Sequence, residues 1–319
     1  MTDLDWRPAA PLDNLKRRAV IKAQARDWFA QRAIIEVDTS PLCLVPVSDP
    51  NIESVEVQFS AERGRRYLQT SPEHAMKRLL AAGAPDIYQM CTVFRDGEAG
   101  ARHQPDFTLI EWYRHGYRLE DIVTDTVSLL TTLLDEAFPA LPVRRQSFRQ
   151  AFVDATGCDP VTGPLDDLIA AAGNSITTDG LDRDQLLDWM LISEVVPTFP
   201  ATSLTVLHHY PASQAALARL CPNDNDVADR FEVFLGDLEL ANGFVELTSA
   251  EQQRRRFEAD LERRTARGDD AHPLDEQLLA ALECGLPACS GVAVGFDRVL
   301  MLALDEPDIR RVQAFPACP

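Results

Sequence analysis

Arg95 closes the apolar run Ile87 to Phe94, and Arg298 follows Gly295-Phe296-Asp297. A guanidinium at either place offers the two-pronged donor geometry that phosphate oxygens favour. Taken alone, each arginine is explained as well by a surface salt bridge. Glu239 and Glu246 lie seven residues apart on either side of Asn242-Gly243. On two strand ends joined by a turn, such carboxylates converge and can hold one Mg2+ or a substrate ammonium; otherwise they are two solvated acids. Glu73 follows Ser71-Pro72 at the start of a helical pattern, and His103 and Gln104 sit in a polar stretch before Phe107. His208 and His209, adjacent in a strand-like run, are expected to face opposite ways and to be structural, not metal ligands.

These residues need a scaffold, and the composition supplies one. The chain has 319 residues, 45% hydrophobic and 25% charged, with 31 Lys+Arg against 50 Asp+Glu for a net charge of -19. That is a globular composition, and it disfavours a broad nucleic-acid surface, which rests on clustered Lys and Arg. Seven scattered cysteines with no C-x-x-C pair argue against a disulfide framework or zinc ribbon. The N-terminus has no apolar signal core and no run approaches the ~18 apolar residues of a membrane span, so a cytoplasmic protein is expected.

The periodicity predicts an amphipathic helix over 14–32, capped by Asp13 or Asn14, then a short strand in AIIEVDTSPL. Strands follow at 54–59 and in RYLQT, with a hairpin tip at SAERGRR between them, and then a helix over 72–82. IYQMCTVF and DFTLIEWYR read as an antiparallel pair around a loop at 96–105. Helical spacing returns at 119–137, and the stretch from about 139 to 200 reads as a helical insertion. LTVLHHYP, FEVFLGDLELANGFVEL and SGVAVGFDRVLMLAL are strand-rich and are interrupted by a charged helix over 251–267. One sheet built from both ends of a single-domain chain, 1–319, is expected.

In combination these segments are specific. FRDGEAGARHQPDFTLIEWY (94–113), ELANGFVEL (239–247) and GVAVGFDRVLML (291–302) resemble motifs 2 and 3 of the class II aminoacyl-tRNA synthetases, and AIIEVDTSPL resembles motif 1. TSPEHAMKRLL (70–80) and the ExxNGFxEL pattern are similar to the lysyl branch. No anticodon-binding segment precedes motif 1, and YPASQAALA (210–218) with the CSGVAVGFDRVLMLAL ending resembles the elongation factor P (R)-β-lysine ligase family. The resemblance implies an α+β fold, a mostly antiparallel sheet flanked by helices, with motif 1 in a homodimer interface.

It also implies a reaction. ATP, with Mg2+, activates (R)-β-lysine as an adenylate, and the acyl group passes to a lysine of elongation factor P, with no tRNA as acceptor and no membrane partner. An ionised carboxylate attacking the α-phosphate needs no general base, so catalysis is positioning and charge stabilisation. By resemblance Arg95 meets the α-phosphate and Arg298 the γ-phosphate, while Asp96, Gly97, His103, Gln104, Phe107, Leu240 and Gly295 line the ATP site. Glu239 marks the metal end, Glu246 faces the amino acid and is a second candidate metal ligand, and Ser71, Pro72, Glu73 and Tyr113 complete the substrate pocket. A diammonium substrate needs at least two anionic partners, because an unpaired buried charge is costly.

Two positions qualify the resemblance. Family motif 2 usually carries Glu where this chain has Gly97, with an acid next at Glu98, which bears on ATP affinity. At Ala293 the lysyl-tRNA synthetases usually have Gly and the ligases Ala. The competing readings are a truncated synthetase-like enzyme serving another acceptor and a catalytically weak pseudoenzyme acting as a binding partner. The arginines of the helix over 251–267 are expected to be a solvated face, or else a docking surface for an acidic protein. Arg95→Ala and Arg298→Ala are each expected to lower amino-acid-dependent ATP/pyrophosphate exchange by roughly 10²–10³-fold with an unchanged melting temperature.

Overall fold

The computed structural model describes residues 6–58, 60, 64–173, 175–177, 180–269 and 272–318. In chain order the elements are α1 (Leu12–Ala30), β1 (Ile35–Glu36), β2 (Leu42–Cys43), β3 (Glu56–Gln58), β4 (Arg65–Leu68), α2 (Glu73–Ala81), β5 (Ile87–Phe94) and β6 (Asp106–His115). After these come α3 (Leu119–Leu134), β7 (Val143–Ser147), α4 (Phe148–Thr156), α5 (Leu165–Ala172) and α6 (Arg183–Met190). The last third holds β8 (Leu204–Pro211), β9 (Leu220–Cys221), β10 (Asp224–Leu235), β11 (Leu238–Val245), α7 (Ala250–Arg267), α8 (Glu276–Gly285), β12 (Cys289–Gly295) and α9 (Phe296–Ala303).

Nine strands form one sheet in the order β1-β5-β6-β12-β11-β10-β8-β7, with β9 added to β10. Only the flanking pairs β1/β5 and β7/β8 are parallel; the centre is antiparallel. β12, late in the chain, therefore pairs between β6 and β11, which makes the sheet a product of both ends of the sequence. One face is apolar and packs on α1, α3 and α9 through Phe29, Trp112, Leu130, Val292, Val294 and Leu300, all buried. The other face carries the polar side chains. Strand alternation sorts the two sets, since successive residues point to opposite faces.

β7 lies inside the stretch read as a helical insertion. Its sequence Val143-Arg144-Arg145-Gln146-Ser147 is mostly exposed at the sheet edge, so it lacks the apolar alternation that announces a strand. The helices after it form a separate core around Phe148, Phe152, Leu187 and Met190, seated on Leu207 and Tyr210 of β8. α9 also departs from expectation: FDRVLMLA is helical, with Phe296, Val299 and Leu300 on its buried side. α1 starts at Leu12 after Pro11 with no side-chain cap. Asp13 instead pairs with Lys16, and Asn14 donates to Glu306. Within the expected strand 54–59 and the SAERGRR tip, Phe59 and residues 61–63 lie outside the described residues.

α7 has a task that its charge pattern concealed. Arg254 pairs with Glu276, Arg255 with Glu251 and Arg263 with Asp260, while Arg256 donates to the carbonyls of Ala216 and Ala218. Arg264, only 2% exposed, donates to the carbonyls of Asp49 and Ile52 and pairs with Glu53; Arg267 donates to Pro50. The helix is thus a clamp on segment 48–53, and its arginines are committed within the chain. Its outer face is solvated and carries the expected short-range pairs Arg255–Glu251 and Arg263–Asp260, while Arg256, Arg264 and Arg267 turn inward to the chain.

Gly243, in the middle of β11, is packed so closely that a Cβ would lie 2.7 Å from Phe231 and Val292 and 2.8 Å from the Gly291 carbonyl oxygen. Gly243→Ala is expected to destabilise the protein by about 1–3 kcal/mol through overpacking, read as a lower urea midpoint with an unchanged slope.

Candidate functional site

The polar face of the sheet is hollow because its central strand carries almost no side-chain volume there. Gly291, Ala293 and Gly295 alternate along β12 toward a cavity of about 960 Å³. Across β6 they face Tyr113, Glu111 and Leu109; across β11, Ala293 faces Asn242 and Gly291 faces Phe244. Gly291 is required sterically, since a Cβ would meet the Tyr113 ring at 2.4 Å and Glu246 Oε1 at 2.5 Å.

At one end of the cavity Glu111, buried, organises its neighbours. It accepts from Ser71 Oγ at 3.0 Å and from the Tyr113 hydroxyl at 2.7 Å. The same Ser71 oxygen accepts from the Glu73 backbone N–H, which fixes the first turn of α2 after Pro72. Glu73 and Glu246 do converge, but on a residue of the protein: Lys77 Nζ lies 2.6 Å from Glu73 Oε1 and 2.5 Å from Glu246 Oε2. Burial raises Glu111 to about 8, aided by the Glu73 charge, and burial likewise pushes Glu246 up to about 8 against the pull of Lys77. Burial would lower Lys77, yet Glu246 and Glu73 outweigh it and hold the ammonium above its ordinary range. Burial thus favours the protonated form of Glu111 and Glu246 even with an ammonium close by.

The other end is cationic. Arg95 lies over the Phe107 ring at 5.1 Å and 3.6 Å from Glu98, with its Nε buried and unpartnered. Phe107 belongs to β6, not to the loop before it. The Asp96 N–H donates to the Glu53 carbonyl, which joins motif 2 to the segment clamped by α7. Gly97 takes a φ of +76° with nothing near its Cβ position, so it serves a left-handed turn, and Asp96 Oδ1 accepts its N–H. Glu98, the acid next to it, lines the cavity.

Arg298 donates to the Glu239 carbonyl at 3.0 Å and lies 2.7 Å from His103 Nε2. Burial, then the Arg298 charge, lowers His103, which stays neutral and accepts that bond. The residue before Arg298, buried Asp297, holds the start of α9 in place: it accepts the Thr108 N–H at 2.8 Å and pairs with Arg18 of α1. Gln104 lines the cavity too, but its side-chain oxygen accepts the Cys318 N–H. Gly295 has a φ of -71° and only ordinary contacts to Arg298, so the fold itself does not demand a glycine there.

One expectation fails outright. Asn242-Gly243 is not a turn: Glu239 lies within a single strand, β11, and Glu246 directly follows it, and seven extended residues span roughly 23 Å. They cannot share one Mg2+. A register slip at Leu240 inserts that residue between the Val233–Ala241 and Glu239–Phe234 pairs, so Glu239 shares the cavity with Asn242, Phe244 and Glu246. The acid that feels the charge of Glu239 is Glu232 of β10, which burial raises to about 7 against the pull of Arg230 at 2.5 Å. Oxygen donors of this kind fit a hard cation, and Glu239 with Glu232 are the side chains placed to hold one.

The histidine pair also differs from expectation. His209 has a φ of +59° where the β8/β10 register slips, so the two rings meet, with Nδ1 atoms 2.9 Å apart. His209, Cys221 and Asp229 bring ligand atoms within 4.8 Å of one another, but Asp229 already receives Arg219 at 2.8 Å. All seven cysteines are free. Sequence reading missed Lys77, Glu111, Arg230, Glu232, Gly291 and Asp297; the available signal was that Lys77, Glu111, Gly291 and Asp297 lie inside the motif segments, beside or alternating with residues that were chosen.

A sheet of this order, with an arginine beside each of its central motifs and a row of small residues as floor, defines a class II synthetase catalytic domain. Residues 2–319 match the tRNA synthetases class II (D, K and N). Relatives named elongation factor P–(R)-β-lysine ligase include one from Klebsiella pneumoniae (strain 342), 42% identical over 97% of this chain and 97% of the relative. Another, from Proteus mirabilis (strain HI4320), is 43% identical over 98% of this chain and 97% of its own. The chain belongs to the class II tRNA synthetases and, within them, to the family of these elongation factor P–(R)-β-lysine ligases.

Gly295→Ala is expected to leave the melting temperature unchanged while raising the KM for ATP several-fold, because the added methyl points into the cavity and not into the fold. Acid groups raised from about 4.5 to about 8 contribute stability that is fully present below the unfolded value and lost as pH rises through the folded one. The melting temperature of the ligand-free protein is therefore expected to fall between about pH 5 and 8, with a flatter profile in Glu111→Gln.

Proposed function

We propose that this protein is an ATP-dependent, AMP-forming ligase that activates (R)-β-lysine and transfers it to the ε-amino group of a lysine on elongation factor P. The observation that carries the reading is one cleft with two chemically opposite ends: Glu73, Glu111 and Glu246 at one, Arg95 and Arg298 at the other. Near-full-length similarity to relatives of that name supports it, as does Ala293 in the floor between the ends.

In this reading the acidic end holds the substrate ammonium groups and directs its carboxylate along the floor toward the α-phosphate. Arg95 and Arg298 stabilise charge on the phosphates as the carboxylate oxygen bonds to phosphorus and pyrophosphate leaves. Mg2+ would screen the phosphates from Glu239 and Glu232. The acceptor amine, neutral on arrival, then attacks the adenylate carbonyl and AMP departs. Val20, Ile35, Leu42 and Leu44, apolar and well exposed around motif 1, support a homodimer interface on that flank. The segment 139–200 is assigned as a decoration of one catalytic domain. Among the described residues no helix is long and apolar enough to cross a membrane, which agrees with a cytoplasmic enzyme that acts on a translation factor.

With labelled (R)-β-lysine and ATP, label is expected to enter elongation factor P and not total tRNA. Charging of tRNA with none of the factor labelled would reverse the assignment. Absence of any amino-acid-dependent exchange would leave a binding protein instead.

A further inference from the structure

Lys77 is among the most deeply buried side chains of the protein, at 2% exposure, although nothing in its helical register requires a polar residue there. Lysine is almost never found so deep unless paired. α2 places it four residues from Glu73, on the same helix face, and β11 brings Glu246 to it from the sheet. Its ammonium also lies 5.4 Å from the Phe244 ring. Among the described residues Lys77 is the one cation paired with this cluster, since Glu111 receives only hydroxyls from Ser71 and Tyr113.

The ionic count follows. Glu73, Glu111 and Glu246 contribute three negative charges and Lys77 one positive, so the cluster stands at two negative when ionised. Glu246 lines the cavity, and its Oε1 has no hydrogen-bond partner and lies against Gly291 beside the Tyr113 ring, where a Cβ would come within 2.5 Å of it. An orphaned buried carboxylate oxygen is costly, and an incoming ammonium relieves it. With no resident cation the cluster would fill with protons; with two, it would have one charge left for a ligand.

We propose that Lys77 is a positioning residue that spans Glu73 and Glu246 and sets the charge of the pocket, so that the pocket selects an amino acid carrying two ammonium groups over one carrying a single one. This rests on the assignment of the acidic end as the amino-acid site. Lys77 does not touch the substrate. It keeps the two carboxylates from separating and shares its single charge between them, which leaves Glu246 Oε1 and Glu111 to receive the ligand.

The test compares direct binding, by calorimetry, of (R)-β-lysine and of the same acid with its distal amine replaced by a methyl group, with ATP binding as control. The wild-type protein is expected to prefer the diammonium acid strongly. Lys77→Met should reduce that affinity by roughly 10–100-fold with little change for ATP, shrink the preference between the two acids, and recover part of the loss in millimolar propylamine, which fits the vacated ammonium site. Lys77→Gln carries the same comparison if the Met variant does not fold. An unchanged preference in a folded variant, or a loss shared equally with ATP and not relieved by propylamine, overturns the role of Lys77 alone. A wild-type protein that binds no diammonium acid overturns the pocket assignment and the inference with it.

Discussion

Carboxylates cannot be left ionised and unpartnered beneath a protein surface, and the acidic end of this cleft is shaped by that constraint. Glu111 accepts from two hydroxyls, Glu73 and one oxygen of Glu246 share a lysine, and each donor comes from a different element. Ser71 arrives on the turn before α2, Tyr113 on β6, Lys77 on α2 itself. Meeting the electrostatic requirement therefore docks α2 against the sheet. The floor is bound to the wall by the same contacts that hold the acidic cluster together.

The cationic end solves a different problem. In the proposed reading, Arg95 and Arg298 stand ready for an anion and must not collapse onto nearby acids. Glu98 sits 3.6 Å from Arg95, and Glu239 lies 3.5 Å from Arg298, both beyond a close ion pair. The firm contacts of Arg298 go instead to a carbonyl and a neutral histidine, which hold its direction without cancelling its charge. Beneath it, Asp297 pins α9 to β6 and α1, so the position of the guanidinium is inherited from the buried side of the sheet.

What the sequence revealed tracks how local the information was. β5 was read over its full length, Ile87–Phe94, and α7 nearly so, because their patterns are set by the faces they bury. Arg95 and Arg298, proposed to face the phosphates, were legible because motif order survives without coordinates. Asn242-Gly243 misled because that dipeptide ordinarily marks a hairpin turn. Here the glycine is present because Phe231 and Val292 leave no room for a side chain, a fact about other strands. β7 was hidden by its exposed arginines, and Lys77 by the expectation that lysines lie on surfaces. The clamp made by α7 was invisible for a similar reason: its arginines look like a solvated face until segment 48–53 is seen beneath them.

The row of small residues on β12 has an evolutionary consequence. The volume of the cleft is set by atoms missing from that strand, whereas its charge is set by atoms present on β6, β11 and α2. Gly291 is held by its contacts with Tyr113 and Glu246, but at Ala293 size and charge lie on different strands and can drift separately. One methyl at Ala293 reshapes what fits without disturbing a single ion pair, so a lineage can explore neighbouring substrates of equal charge by single conservative steps, while a change in substrate charge requires several buried residues to change together.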